Sequence, residues 1–217
     1  MTSARIDWRD GGVPASRRFD DPYFSLTGGL EETRHVFLAG NDLPARLRPG
    51  FGIAELGFGT GLNLLAVMAL EPPPLTFTSF ELEPVSRDTA ARALAAFPEM
   101  AALSAPLLAA WHVLGTGPVT LGTVTLDLRL GDARETLPDW EGRADAWFLD
   151  GFSPAKNPEL WGTDLLSQVG AHTAPGGTLA TYTAAGHVRR ALEAAGFEIT
   201  RATGYGRKRH MTCGVKR

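Results

Sequence analysis

The sequence predicts an α/β fold: a doubly wound, mostly parallel sheet whose last strand runs antiparallel, preceded by a short arm. Three observations lead there. An apolar strand over 52–56 enters a turn with Gly57, Gly59 and Gly61 and continues as a helix. Strand-like apolar runs then alternate with helical stretches, and three of them end in an acid, Glu81, Asp132 or Asp150. The connection over 201–208 is too short for a crossover, which needs a dozen or more residues, so the closing strands must form an antiparallel hairpin.

With 217 residues, 44% hydrophobic and 21% charged, the chain suits one globular domain with a good core. We divide it into an arm or lid over 1–29 and a main domain over 30–217. No apolar run approaches the roughly 20 residues that span a bilayer, and the first ten residues lack the apolar centre of a secretion signal. Cys213 stands alone, which rules out an internal disulfide framework and suits a reducing cytoplasm. The five histidines show no metal-ligand spacing, so no metal is expected. The net charge of −3 carries no global nucleic-acid signal. Local asymmetry does: no acid follows Glu198, while Arg201, Arg207, Lys208, Arg209, Lys216 and Arg217 do. Such a tail is either solvated or a phosphate contact.

Taken in order, the arm holds the turn signals Asp10-Gly11-Gly12, Asp21-Pro22 and Gly28-Gly29 and reads as irregular or a weak hairpin. Its stretch over 16–25 mixes charge with Phe19, Tyr23 and Phe24, which fits a substrate-facing lid or three anchors into the core. A helix is expected over 30–39, stopped by Gly40-Asn41-Asp42. The helix after the glycine turn runs to about 71 and is closed by Pro72-Pro73-Pro74. The second strand, 75–80, ends in Glu81, and helices follow over 84–97 and 99–110. Strands are expected over 111–114 and 119–130, with a further turn at Leu121-Gly122-Thr123. Val124, Leu126, Leu128 and Leu130 alternate with period two and lead to Asp132. The strand over 144–149 is apolar except for Asp145, as in a strand buried on both faces, and ends at Asp150. A helix over 158–172, a strand over 177–182 and a helix over 185–195 capped at Gly196 lead to strands over 197–200 and 209–215.

The glycine turn carries the first chemical signal. Glycine tolerates positive φ and lets backbone approach a ligand, and the helix behind it offers free N–H groups. The dinucleotide fingerprint wants its third glycine where Leu62 stands, and Glu55, two residues before Gly57, is unwelcome beside a pyrophosphate. An acid there suits a cationic or amine-bearing ligand. The run from Ile53 through Gly57, Gly59 and Gly61 to Asn63 resembles the first motif of S-adenosyl-L-methionine-dependent methyltransferases. Glu81 lies 20 residues past Gly61, where an acid meets a ribose diol.

A narrower resemblance rests on Asp150-Gly151-Phe152-Ser153-Pro154-Ala155-Lys156-Asn157-Pro158, on the arm over 16–25, and on Gly206-Arg207-Lys208-Arg209-His210-Met211. Together these resemble the methyltransferase domain of the bifunctional tRNA 5-methylaminomethyl-2-thiouridine biosynthesis family, from about Trp8 to the end. That resemblance implies a class I methyltransferase fold and methylation, by S-adenosyl-L-methionine, of the aminomethyl group on the wobble uridine. It assigns Glu55, Gly57, Gly59, Gly61, Asn63, Glu81 and Asp132 to the cofactor, Asp132 either at the adenine amino group or simply capping the next turn. Asp150 is the candidate catalytic acceptor, with a brace for its own loop as the plain alternative. Tyr23 and Tyr182 are candidates to stack on the uridine. Lys156, Arg207, Lys208 and Arg209 are candidates for phosphates of the anticodon region. The chain is expected to be a stand-alone form without the flavin oxidase domain, another protein supplying the aminomethyl substrate. The alternatives are a transferase for a small amine, a non-catalytic RNA-binding module and, more weakly, a nicotinamide oxidoreductase.

Overall fold

The computed structural model describes residues 3–25 and 28–217, so Met1, Thr2, Leu26 and Thr27 of the expected arm lie outside the described residues. The arm begins with a small antiparallel sheet of β1 (Ile6–Arg9), β2 (Val13–Ser16) and β3 (Asp21–Pro22). It buries Val13 and Ala15 and is laced by Arg17 donating to Asp7 at 2.6 Å and Arg9 to Asp20 at 3.1 Å.

The main sheet contains β4 (Phe51–Leu56), β5 (Leu75–Glu81), β6 (Val119–Leu121), β7 (Val124–Leu130), β8 (Ala144–Leu149), β9 (Thr173–Thr181), β10 (Phe197–Thr203) and β11 (His210–Lys216). Its order is β10-β11-β9-β8-β4-β5-β7-β6. The neighbours from β9 through β7 pair parallel, whereas β11 is antiparallel to both β9 and β10. β6 folds back antiparallel on β7 through the expected turn at Gly122, whose φ is +62°.

Period two in the central strands gives each face its own core. From β4 and β8, Ile53, Ala146 and Phe148 face one side. There they meet Val36, Phe37, Leu107 and the apolar face of α2 (Leu62–Met68). Ala54, Leu56, Trp147 and Leu149 face the other side, against α6 (Thr163–Ala171), α7 (Gly186–Ala194) and Trp140. The central strands are thus apolar on both faces because helices cover both.

Several expected elements shift. The helix over 30–39 is α1 (Gly29–Thr33), a π-helical turn (Arg34–Leu38) and a 3-10 turn (Ala39–Asn41). Residues 111–114, expected as a strand, instead hold a 3-10 turn (Trp111–Val113), because the Trp111 indole N–H donates to the Val85 carbonyl at 3.2 Å and its ring packs on Phe58. That turn ends α4 (Ala101–Ala110), which follows α3 (Arg87–Leu94), a helix capped by Ser86 accepting from the Thr89 amide at 3.1 Å. The helix over 158–172 is broken at Gly162, whose extended backbone separates a 3-10 turn (Pro158–Trp161) from α6. β9 starts four residues early and absorbs the Pro175-Gly176 turn as an irregularity in its pairing with β8.

Candidate active site

A cleft of about 450 Å³ opens over the carboxyl ends of β4, β5, β7 and β8, where open α/β sheets put their ligands. Its floor is the glycine turn, of which Gly57 and Gly59 line the cleft whereas Gly61, also expected at the cofactor, faces Leu107 and the Phe58 ring beneath it. Gly57, Gly59 and Gly61 have φ of +89°, +54° and +81°, and a Cβ on Gly57 would come within 3.3 Å of the Gly151 Cα. The close approach of the two loops therefore favours glycine at 57, while Gly151 is held to glycine by its φ of +126° and by the Leu160 side chain, which a Cβ there would strike.

Asn63, in the first turn of α2, is the hub. Its side-chain NH₂ donates to Glu55 Oε1 and to Asp150 Oδ2, both at 2.8 Å, while its Oδ1 accepts from the Thr33 hydroxyl at 2.9 Å. Thr33 thus fixes which way the amide points. Asp150 also accepts from the Gly151 amide at 2.8 Å. Burial lifts its pKa to about 6, against the lowering effect of these hydrogen bonds.

Glu55 is 1% exposed and lies behind the cleft wall, reaching the cavity only through Asn63. The sequence assigned it to the cofactor; burial places its carboxylate in a layer beneath. It accepts from the Ser79 hydroxyl at 2.6 Å, and burial pushes its pKa to about 8. Glu81 does line the cleft. Its two oxygens accept from the amides of Gly59 at 2.9 Å and Glu83 at 2.8 Å, while burial raises its pKa. Asp132 borders the cleft and also caps α5 (Ala133–Thr136), accepting from the Arg134 amide at 2.9 Å. Its ion pair with the Arg134 guanidinium, at 2.5 Å, holds it below the usual carboxylate range.

The arm closes one side. Arg18 donates to Glu83 at 2.6 Å on the β5 bank, and Asp21 accepts from the Ser153 amide at 2.8 Å on the β8 bank. Phe19 stacks on Phe152 with ring centroids 4.8 Å apart, and Tyr23 meets the same ring edge-on at 5.1 Å. Tyr23 also covers Gly59, where a Cβ would lie 3.0 Å from the ring. Lys156, expected at a phosphate, is instead held by Asp20 at 3.1 Å and does not line the cleft.

At the opposite side Tyr182 donates to the Gly151 carbonyl at 2.8 Å and so braces the Asp150 loop. The hairpin between β10 and β11 sends Lys208 over this ring, with its Nζ 4.0 Å from the centroid. Arg207 and Arg209 stay exposed outside the cleft. Sequence reasoning missed Glu32 of α1, which lines the cleft and accepts from Lys208 at 2.7 Å. Neither spacing nor composition signals that contact, because its partner lies 176 residues away.

The donor set fits S-adenosyl-L-methionine. Asp150 and Glu81, whose hydrogen-bond partners are all neutral, border a glycine turn that carries no basic residue, which suits a sulfonium and an amino group and disfavours a pyrophosphate. The family described as S-adenosyl-L-methionine-dependent methyltransferase matches residues 98–217, a span that includes Asp150 and the final hairpin. The tRNA 5-methylaminomethyl-2-thiouridine biosynthesis bifunctional protein MnmC of Caulobacter vibrioides is 50% identical over 214 residues, which cover 93% of this chain and 36% of that protein. The protein of the same name from Caulobacter sp. (strain K31) is 47% identical over 225 residues, covering 96% of this chain and 37% of its own. The chain thus spans little more than a third of these relatives. The crystal structure of MNMC2 from Aquifex aeolicus superposes with a TM-score of 0.78 at 26% identity, covering 99% of this chain and 70% of that one. Among the described residues no single helix is long and apolar enough to cross a membrane.

Proposed function

The chain belongs to the S-adenosyl-L-methionine-dependent methyltransferases, and from that premise we propose that it methylates the amino nitrogen of a 5-aminomethyl group on the wobble uridine of tRNA. The observation that carries this reading is Asp150, a carboxylate that lines the cleft from the carboxyl end of β8 and is oriented by Asn63 and Gly151. Support also comes from the relatives, whose name refers to biosynthesis of a methylaminomethyl uridine in tRNA.

Bound S-adenosyl-L-methionine supplies an electrophilic methyl group on a sulfonium. The protein must hold the amine nitrogen about 3–3.5 Å from the carbon it attacks and keep its lone pair free. Asp150, with its pKa near 6, is mostly ionised at neutral pH and accepts a hydrogen bond or a proton from that nitrogen. Glu81 would hold the ribose diol and Asp132 the adenine amino group, while Gly57 and Gly59 leave room for the rest of the cofactor and Gly61 shapes the turn from beneath. The arm acts as a lid, since Arg18, Asp21 and Tyr23 tie it to both banks of the cleft. Tyr23 therefore shields the cofactor rather than the uridine, while Tyr182 braces the catalytic loop. Arg207 and Arg209, exposed beside the cleft, grip the anticodon backbone.

A small free amine as substrate suits the acidic lining equally well but gives the basic hairpin no part. Methyl transfer from labelled S-adenosyl-L-methionine to two tRNA pools separates the readings. Label entering only the pool with accumulated aminomethyl uridine, and lost in Asp150→Asn, supports tRNA; label entering free alkylamines but neither pool refutes it.

A further inference from the structure

Glu32 lines the cleft but has no part in the mechanism proposed above. It sits at the end of α1, where the helix widens into its π-helical turn, a feature often found at functional sites. Its side chain is 13% exposed and faces the cleft. One carboxylate oxygen accepts from the Ser25 hydroxyl, and the other from Lys208 Nζ at 2.7 Å. The same Nζ lies 4.0 Å from the centroid of the Tyr182 ring. A carboxylate beside an aromatic face is an environment that holds an alkylammonium.

Lys208 is itself a primary alkylammonium, the same chemical group as a protonated aminomethyl substituent. Other acids of the cleft have different partners. Glu81 accepts from backbone amides, Glu83 from Arg18, Asp132 from Arg134, and Asp21 from the Ser153 amide, with Lys156, outside the cleft, 3.9 Å away. Among the described residues only Glu32 is paired with an ammonium that also lines the cleft.

We propose that Glu32 and Tyr182 form the subsite for the substrate's ammonium group, that Lys208 fills it in the free protein, and that the aminomethyl group displaces Lys208 to bind beside Asp150. This rests on the amine reading given above. The exchange conserves charge, because one ammonium leaves as another arrives. The fields already reach the reacting group: the Glu32 charge raises the pKa of Asp150 and the Lys208 charge lowers it. On this account Glu32 is a catalytic residue, touching the nitrogen that is methylated.

The test is methyl-transfer kinetics on aminomethyl-bearing tRNA for the wild type, Glu32→Gln, Lys208→Met and the double variant. Glu32→Gln is expected to raise KM at least tenfold in either background, with affinity for the same tRNA lacking the aminomethyl group changed less than twofold. An effect that vanishes in the Lys208→Met background would mean that Glu32 only anchors Lys208, and would overturn the inference. So would an unchanged KM. Should Glu32→Gln fail to fold, Glu32→Asp keeps the charge but withdraws it by one methylene; it is expected to raise KM, and a wild-type KM overturns the inference. A wild-type protein that labels neither tRNA pool refutes the functional reading itself; a labelling wild type with an indifferent Glu32 refutes this inference alone.

Discussion

Glu55→Gln should stabilise the protein, and more so as pH rises. Glu55 is 1% exposed beneath the glycine turn and is hydrogen-bonded to Ser79 and Asn63. Burial, with some help from the Asp150 and Glu81 charges, moves its pKa from the ordinary 4.5 to about 8. The folded state therefore holds the proton more tightly than the unfolded chain. Whatever this group contributes is fully present below pH 4.5 and is lost as pH climbs through 8. At roughly 1.4 kcal/mol for each tenfold change in proton affinity, the loss above pH 8 is on the order of 3–5 kcal/mol. Glutamine keeps the shape, has no proton to lose, and still offers an oxygen to Asn63. Urea unfolding of both proteins from pH 5 to pH 9 provides the assay. The two should have similar stability at pH 5 and separate by several kcal/mol at pH 9, with the variant more stable. Curves that stay parallel across that range would refute the reasoning, because Glu55 would then be ionised in the fold at neutral pH.

Three further outcomes follow from the cleft. Asp150→Asn should lower kcat on the order of 100-fold with cofactor affinity changed only a few-fold, and the fall in wild-type kcat below about pH 6 should flatten in the variant; a pH–rate profile checks both. Gly59→Ala places a side chain at φ +54° and 3.0 Å from the Tyr23 ring, so it should cost about 1–2 kcal/mol in thermal unfolding and weaken S-adenosyl-L-methionine binding by calorimetry. Replacing Arg207 and Arg209 together by alanine should weaken tRNA binding and reduce the slope of log affinity against log salt by about 1.5, with kcat at saturating tRNA retained.

Much of the fold was legible because its signals are local. The apolar runs of β4 and β8, the glycine turn and the short final hairpin each specify their own geometry. Asp150 was legible for the same reason, as a lone carboxylate closing an apolar strand. Residues 111–114 misled because so short a run, Trp-His-Val-Leu, fits a strand or a helical turn equally, and the hydrogen bond from Trp111 to Val85 that decides it spans 26 residues. Glu55 was assigned to the cofactor from its charge and its place before the glycine turn, and neither says how deep its carboxylate lies. The hub role of Asn63 depends on Thr33, 30 residues before it, and the pairing of Glu32 with Lys208 joins nearly opposite ends of the chain. Lys156 shows the same limit, since a basic residue in a loop does not announce that an aspartate of the arm already holds it.

The most direct test of the central claim is to digest the aminomethyl-bearing tRNA after incubation with the protein and S-adenosyl-L-methionine, and to weigh the wobble nucleoside. The 5-aminomethyl uridine should be replaced by a nucleoside heavier by one methylene, with the added methyl on the side-chain nitrogen. A methyl group on a ring atom, on the ribose or at any other position of the tRNA would contradict it.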